Sequence, residues 1–349
     1  MAKIRVLYYY LVLKNTDRPL AGTSTAVLRA TARLAAATDR FAVVMTGDKV
    51  EHPENFADGR RMVPLPPPED LSDFVAGFDI VVLASHMASL NPLRKRPGQK
   101  WILLQHCWEL MPDIPARLAD FDAIIASSPM HRDNLARLGA PADKMTVIAN
   151  FLDTAAYSPP DVPPPPERLV YAGALVPHKG VHVLIDAMRI VADREPGAIL
   201  DVHGAQDMWL DFEQDYEARL RKAAEGLPVR FLGAVPRNDD MPQVFRSHAV
   251  FCLPSQVETF PLTVLESQAC GCVPVAHDGG GTAAVLRDGD TGFLYAPNTP
   301  EALAGAILTA MARLREDPGI RARAVAHVRA NFAGEVQTRQ LAELFASLS

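Results

Sequence analysis

A chain of 349 residues, 48% of them hydrophobic, is long enough to bury two separate cores, so length favours two domains. Its formal net charge of −6 offers no basic excess to neutralise phosphates, which argues against a nucleic-acid partner. The four cysteines, Cys107, Cys252, Cys270 and Cys272, form no CxxC pair and read as reduced, buried thiols rather than disulfides or metal ligands.

No apolar run is long enough to span a bilayer. The opening MAKIRVLYYYLVLKN reads as a first strand and not as a signal peptide, because charged and turn residues follow it without a small-residue cleavage site. From there apolar runs alternate with helical patterns, which predicts an α/β protein with parallel sheets. The first strand, Ile4 to Leu13, precedes a helix from about Thr23 to Ala37. No GxGxxG stands at that junction, which weighs against a nicotinamide-dinucleotide domain. Instead Ala21-Gly22-Thr23-Ser24 offers either backbone N–H groups to a phosphate or acceptor, or a plain N-cap by Thr23 or Ser24.

Further strands are predicted at Phe41 to Thr46, Ile80 to Ala84 and Trp101 to Leu104, with a proline-rich loop or edge at Pro64 to Pro68. Two of these strands deliver a histidine, His86 and His106, at the carboxyl end, the edge where open α/β sheets bind ligands. Phe121 to Ser128 (strand and turn), Met130 to Leu138 (helix) and Lys144 to Ile148 (strand) close the first half. The run DVPPPPE, Asp161 to Glu167, is the predicted linker, since a proline run cannot pair in a sheet.

The second half restarts the pattern. Strand Leu169 to Ala172 passes through Gly173-Ala174-Leu175-Val176-Pro177-His178-Lys179-Gly180 into a helix over Val181 to Asp193, with Lys179 near its N-terminus. His178 and His182 have the i, i+4 spacing of a metal pair, but no third ligand is nominated and they read as structural or solvent-facing. Leu200 to His203 is a strand ending at Gly204, Asp211 to Glu225 a charged amphipathic helix, and Val229 to Leu232 a strand.

The most informative stretch is Phe251 to Pro297, FCLPSQVETFPLTVLESQACGCVPVAHDGGGTAAVLRDGDTGFLYAP. A buried strand, Ala249 to Leu253, stops at a loop carrying Glu258. Phe260-Pro261 then starts a helix, proline being tolerated in the first turn. Gly271 stops that helix, Val273 to Ala276 is a strand, and the triplet Gly279 to Gly281 is expected to open another helix at Thr282. The first helical N–H groups, near Pro261 to Val264, have no intrahelical partner and carry the positive end of the dipole, an anion site to which Thr263 adds a hydroxyl. A phosphate held there, with Glu258 and Glu266 accepting hydroxyls on either side, suits a nucleotide-sugar. Helices are predicted beyond, at Pro300 to Leu314, Ile320 to Asn331 and Val336 to Leu348.

The Glu258-x7-Glu266 stretch resembles that of retaining GT-B glycosyltransferases, glycosyltransferase family 4, and the run FDAIIASSPMHRDNLARLGAPADKMTVIANFLDTAAYSP resembles the family's end-of-domain segment. The resemblance implies two Rossmann-like domains with parallel sheets facing across a cleft, and a last helix crossing back to the first domain. The expected division is an acceptor domain over 1–160, a donor domain over 161–335 and the returning helix over 336–349. It further implies a catalytic set of Glu258 on donor-sugar hydroxyls, Lys179 on the departing diphosphate and His106 beside the reacting centre. The nucleotide is assigned to Glu266 (ribose), Phe260, Pro261, Leu262, Thr263, Gly173, Gly204 and Gly280. Gly22, Thr23, His86 and Trp108 are assigned to the phosphate loop and acceptor side. Two departures stand out: relatives carry an arginine where Ala174 stands and often a glutamate at Ala284.

The implied reaction retains the anomeric configuration by front-face attack, with no cofactor and no metal, the UDP- or GDP-sugar being a co-substrate. The acceptor hydroxyl is left open. A nucleotide-sugar hydrolase or epimerase, and a silent GT-B-like binding subunit, remain alternatives. A bacterial, cytoplasmic location is expected, at most peripheral to the membrane through Arg94-Lys95-Arg96 and Lys100.

Overall fold

Apolar runs of four or five residues, too short for a stable helix and rich in valine, isoleucine and leucine, become the inner strands of two sheets. All five positions of Ile80–Ala84 are buried, as expected of a parallel strand covered on both faces. In a computed structural model of the protein, described for all residues except 1–2, 14–21, 49–51, 85–92, 207–214 and 237–239, the contacts divide the chain into two units. One comprises Met1–Phe151 with Gly334–Ser349, the other Leu152–Ala333.

The first unit contains β1 (Ile4–Leu13), α1 (Gly22–Ala37), β2 (Phe41–Asp48), β3 (Glu54–Asn55), β4 (Arg61–Pro64), α2 (Leu71–Ala76), β5 (Ile80–Ala84), β6 (Lys100–Leu104), β7 (Ala123–Ala126), α3 (Pro129–Arg137) and β8 (Met145–Val147). Its sheet runs β3-β4-β2-β1-β5-β6-β7-β8, with the β3–β4 pair antiparallel and the other pairs parallel. The period of two in β1 puts Val6 and Tyr8 into one core and Leu7 and Tyr9 into the other. Ser128 starts α3 by accepting the His131 N–H at 3.1 Å, with Pro129 at the first helical position.

The second unit contains β9 (Arg168–Ala172), α4 (Val181–Arg194), β10 (Ile199–His203), α5 (Tyr216–Ala223), β11 (Val229–Gly233), α6 (Met241–Arg246), β12 (Val250–Leu253), α7 (Leu262–Ala269), β13 (Val273–His277), β14 (Phe293–Tyr295), α8 (Pro300–Glu316) and α9 (Gly319–Asn331). Its parallel sheet runs β11-β10-β9-β12-β13-β14. One charge is buried within it: Asp201 accepts from Arg168 at 3.1 Å, Arg230 at 2.6 Å and His248 at 3.0 Å. Burial pushes its carboxyl up, but the hydrogen bonds from Arg230 and His248 outweigh this and hold it below the usual range. The last helix, α10 (Glu335–Leu348), belongs to the first unit, where Leu341 and Phe345 join the core formed by Val27 and Leu34 of α1.

Several sequence expectations change. The division falls at Phe151/Leu152 and not in the proline run, which is fastened to the second unit: Arg321 donates to the Pro164 carbonyl at 2.8 Å and Arg315 pairs with Glu167 at 2.6 Å. The charged helix begins at Tyr216, with 211–214 outside the described residues. The short helices α2 and α6 were not anticipated. No helix among the described residues is long and apolar enough to cross a membrane.

Candidate functional site

In the second unit, strand order reverses between β9 and β12, and open α/β sheets bind ligands at that point, beyond the carboxyl ends of the strands. The two loops leaving there are 173–180 after β9 and 254–261 after β12. They touch through backbone: Gln256 N–H donates to the His178 carbonyl at 2.9 Å. Gly180, at φ +70°, is required for this approach, because a Cβ there would collide with the Pro254 carbonyl. The contact carries the two residues of most chemical interest to one place. Lys179 Nζ lies 2.7 Å from Glu258 Oε1, with the side chains 27% and 15% exposed.

A second set of contacts fixes the Glu258 backbone. Glu258 N–H donates to Gly279 at 3.2 Å, and Gly281 N–H donates back to the Glu258 carbonyl at 2.6 Å. Cβ atoms at Gly279 or Gly280 would run into the Gln256 and Glu258 carbonyls. The glycine triplet is therefore a clamp. It does not open a helix at Thr282 as the sequence suggested, but ends in a short 3-10 turn at Gly281–Ala284. His277 Nδ1 and Asn298 Nδ2 donate to the carbonyls of Ser255 and Pro254 at 3.1 and 3.0 Å, and the Tyr295 hydroxyl donates to Asn298 at 2.8 Å. Sequence reading missed His277 and Asn298; the signal for the first was a histidine at a strand's carboxyl end.

The tip of α7 has no side-chain cap at Pro261. Phe260, Pro261 and Leu262 are buried, Phe260 edge-on to Phe332 at 5.8 Å, so they can offer a ligand backbone but not side chains; Thr263 is half-buried. Glu266, on the second turn, is 6% exposed. Gly173 and Gly204 act as spacers between strand ends: Gly173 N–H donates to His203 at 3.0 Å, and a Cβ on Gly204 would strike the Gly173 carbonyl. The buried Tyr171 hydroxyl donates to the Ala174 carbonyl at 2.8 Å, bracing this loop from below. Burial first, and then the Glu258 charge, raise the Tyr171 phenol. His178 is pushed below its ordinary value by burial and by Lys179, against the pull of Glu258. His182 bonds the Tyr216 hydroxyl at 2.9 Å, which commits it structurally.

In the first unit, His106 follows β6 and is buried, lining with Tyr8, Asn150 and Gln337 a cavity of about 30 Å³. Trp108 stacks on His131, centroids 6.2 Å apart at 17°, and Asn134 donates to the Trp108 carbonyl at 2.6 Å. His131 Nε2 donates to the Cys107 carbonyl at 3.0 Å, and Gln105 to Cys107 and Glu109 at 3.0 and 2.7 Å. Sequence reading missed His131 and Asn134. Gly22 and Thr23 open α1, whereas His86 lies outside the described residues. Three members of the basic cluster are paired inside the unit: Lys95 and Lys100 with Asp122 at 2.7 and 3.7 Å, and Arg96 with Asp79 at 3.4 Å, while Arg94 is exposed.

Comparison with known proteins places these features in context. The family model of glycosyl transferases group 1 matches residues 158–325. A D-inositol 3-phosphate glycosyltransferase of Actinosynnema mirum is 29% identical over 231 residues, 61% of this chain and 54% of that protein. A glycogen synthase of Mycobacterium tuberculosis is 31% identical over 191 residues, 53% and 44% of the two chains. The chain thus spans about half the length of the curated relatives it matches. Among solved structures, sucrose-phosphate synthase from Thermosynechococcus elongatus gives a TM-score of 0.80 at 20% identity, covering 99% of both chains. Anabaena HepE in complex with UDP and glucose gives 0.76 at 20% identity, covering 99% of this chain and 100% of that one. At such identity the likeness establishes the fold, which is GT-B, with two parallel-sheet domains.

Proposed function

We propose that the chain, whose residues 158–325 match the family model of glycosyl transferases group 1, is a retaining glycosyltransferase moving a sugar from a nucleotide-diphosphate donor to an acceptor hydroxyl. The observation that carries this reading is the Lys179–Glu258 pair, 2.7 Å apart, where the strand order of the second sheet reverses. An ammonium and a carboxylate held by backbone contacts at that crevice suit a ligand with an anionic half and a hydroxylated half.

The diphosphate lies against the uncapped α7 tip and exchanges for Glu258 as the partner of Lys179. Glu258, released, accepts hydrogen bonds from donor-sugar hydroxyls, and Glu266 accepts those of the ribose. As the anomeric carbon–oxygen bond breaks, charge grows on the diphosphate, and one fixed donor there is worth about 3 kcal/mol, or some hundredfold in rate. The acceptor oxygen bonds to the anomeric carbon on the face the diphosphate leaves, and its proton passes to a phosphate oxygen. Lys179 and the helix tip supply the charge stabilisation, and the reaction runs without a metal. In the first unit, His106 is assigned to a sugar hydroxyl, and Trp108 with the start of α1 at Gly22 and Thr23 to the acceptor. HepE, solved with UDP and with UDP-glucose, supports a UDP-sugar as donor, with a GDP-sugar as the other choice. The acceptor classes in view are a bacterial glycan, a glycolipid or a small natural product, met in the cytoplasm.

The test is a panel of nucleotide-sugars read by thermal stabilisation of the full chain, followed by product analysis. The expected result is a raised Tm with one UDP- or GDP-sugar, acceptor-dependent diphosphate release unaffected by EDTA, and a product of unchanged anomeric configuration. Diphosphate or altered sugar formed without acceptor would replace transfer by hydrolysis or epimerisation, and the absence of any stabilising nucleotide-sugar would sink the site.

A further inference from the structure

On the first unit, α1 and α10 leave a groove of about 420 Å³ between them, lined by none of the residues assigned above. Glu335, Thr338, Arg339 and Ala342 line it from α10, at i, i+3, i+4 and i+7 and therefore on one helix face. Arg33, Ala36 and Thr38 line it from the end of α1. Its floor is small and apolar, and its polar rim carries two guanidiniums against one carboxylate.

Three observations converge on an anion. Arg339 is exposed and makes no ion pair among the described residues, while Arg33 has only a loose partner, Glu335 at 3.8 Å, with side chains 40% and 65% exposed. An ion pair so exposed holds its arginine weakly. The N-terminus of α10 opens at the same end, with Gly334 at φ +100° giving no side-chain cap to the first N–H groups. Independently of both, the Thr338 hydroxyl is buried, its residue only 8% exposed, and it has no hydrogen-bond partner among the described residues. Buried hydroxyls are rarely left unsatisfied, so one beside two arginines and a helix N-terminus marks a place for an acceptor-rich group.

We propose that this groove binds a phosphate-type oxyanion, gripped by Arg33 and Arg339 with the Thr338 hydroxyl donating to it. The chemistry is shared by a free phosphate ester and a lipid phosphate headgroup. Glu335 tunes the site: the anion displaces it from Arg33, so binding weakens if the carboxylate cannot swing away.

The probes are inorganic phosphate, titrated at constant ionic strength, and vesicles of phosphatidylglycerol in phosphatidylcholine, read by flotation against phosphatidylcholine alone. Phosphate affinity is taken from the rise in Tm of the full chain. R339Q and T338V should each weaken phosphate binding about tenfold or more while leaving circular dichroism unchanged, and E335Q should strengthen it. Lys179→Ala should leave it intact, which separates this groove from the α7 tip and keeps the two readings independently testable. Arg339-dependent flotation identifies a headgroup; solution binding without flotation identifies a free ester. Wild-type affinity in both R339Q and T338V, or loss of phosphate binding in Lys179→Ala alone, would overturn the proposal.

Discussion

The two carboxyl edges of this molecule are made of different materials. At the second unit's edge the closest approaches are backbone on backbone, Gly180 against Pro254, Gly204 against Gly173 and the glycine triplet around Glu258, with Tyr171, His277 and Asn298 bracing the loop carbonyls. At the first unit's edge the described contacts run through side chains, Gln105, Trp108, His131 and Asn134, reaching carbonyls and one another. A backbone-built edge offers one geometry and no room for substitution. A side-chain edge can be respecified residue by residue. The contrast fits the proposed function, in which the second unit holds one fixed group, a pyrophosphate, and the first meets the acceptor.

The largest expected effect breaks the backbone edge directly. Gly180→Ala meets two obstacles, a left-handed φ and the Pro254 carbonyl, and should cost about 3 kcal/mol in denaturant unfolding. Gly98 in the first unit also has positive φ but nothing near its added Cβ, so Gly98→Ala should cost only about 1 kcal/mol. Equal costs at the two sites would show that strain alone, and not the close approach, sets the price of a side chain at Gly180.

Next come Lys179→Ala and Glu258→Ala, each expected to lower donor turnover about a hundredfold with the fold retained. Because the two groups touch, their effects should not multiply: the double variant should lose clearly less than the product of the singles. Strict multiplication would mean that the pair does not act as a unit. At the side-chain edge, Trp108→Ala removes a stack on His131 worth about 1 kcal/mol, and acceptor KM should rise up to about tenfold with donor binding unchanged. Equal damage to donor affinity would erase the distinction between the edges.

Much of this was legible in the sequence, and for identifiable reasons. Strands such as Ile80–Ala84 and Val250–Leu253 announce themselves because burial on both faces demands unbroken apolar runs. Lys179 and Glu258 were each conspicuous, but their contact was not, since it spans 79 residues and depends on Gly180 admitting the Pro254 carbonyl. The triplet at Gly279 misled because glycines before a threonine look locally like a helix start, and the clamp on Glu258 is a tertiary fact. The proline run Pro163 to Pro166 looked like a boundary because proline cannot pair in a sheet, yet Arg315 of α8 and Arg321 of α9 secure the segment from far along the chain. The pairing of Lys95 and Arg96 was hidden for the same reason: their partners Asp122 and Asp79 are remote in sequence.

The smallest predicted effect concerns acid. Among the described residues, His178, His182, His203 and His327 of the second unit, and His131 of the first, are held below the ordinary histidine value chiefly by burial. A buried neutral histidine has a folded pKa below its unfolded one, near 6.5, so as pH falls below about 6.5 the unfolded chain takes up protons the native state refuses. The stabilisation is complete above that pH and is lost progressively as pH falls through the folded values. Carrying four such groups, the second unit should lose stability first between neutrality and the carboxylate range, which limited proteolysis or hydrogen exchange at graded pH can read unit by unit. His178→Gln should blunt the second unit's loss and leave the first unit's unchanged. If instead the first unit opened first, the side-chain edge around His131 would be the more acid-sensitive of the two, and the rigidity assigned to the backbone-built edge would need another source.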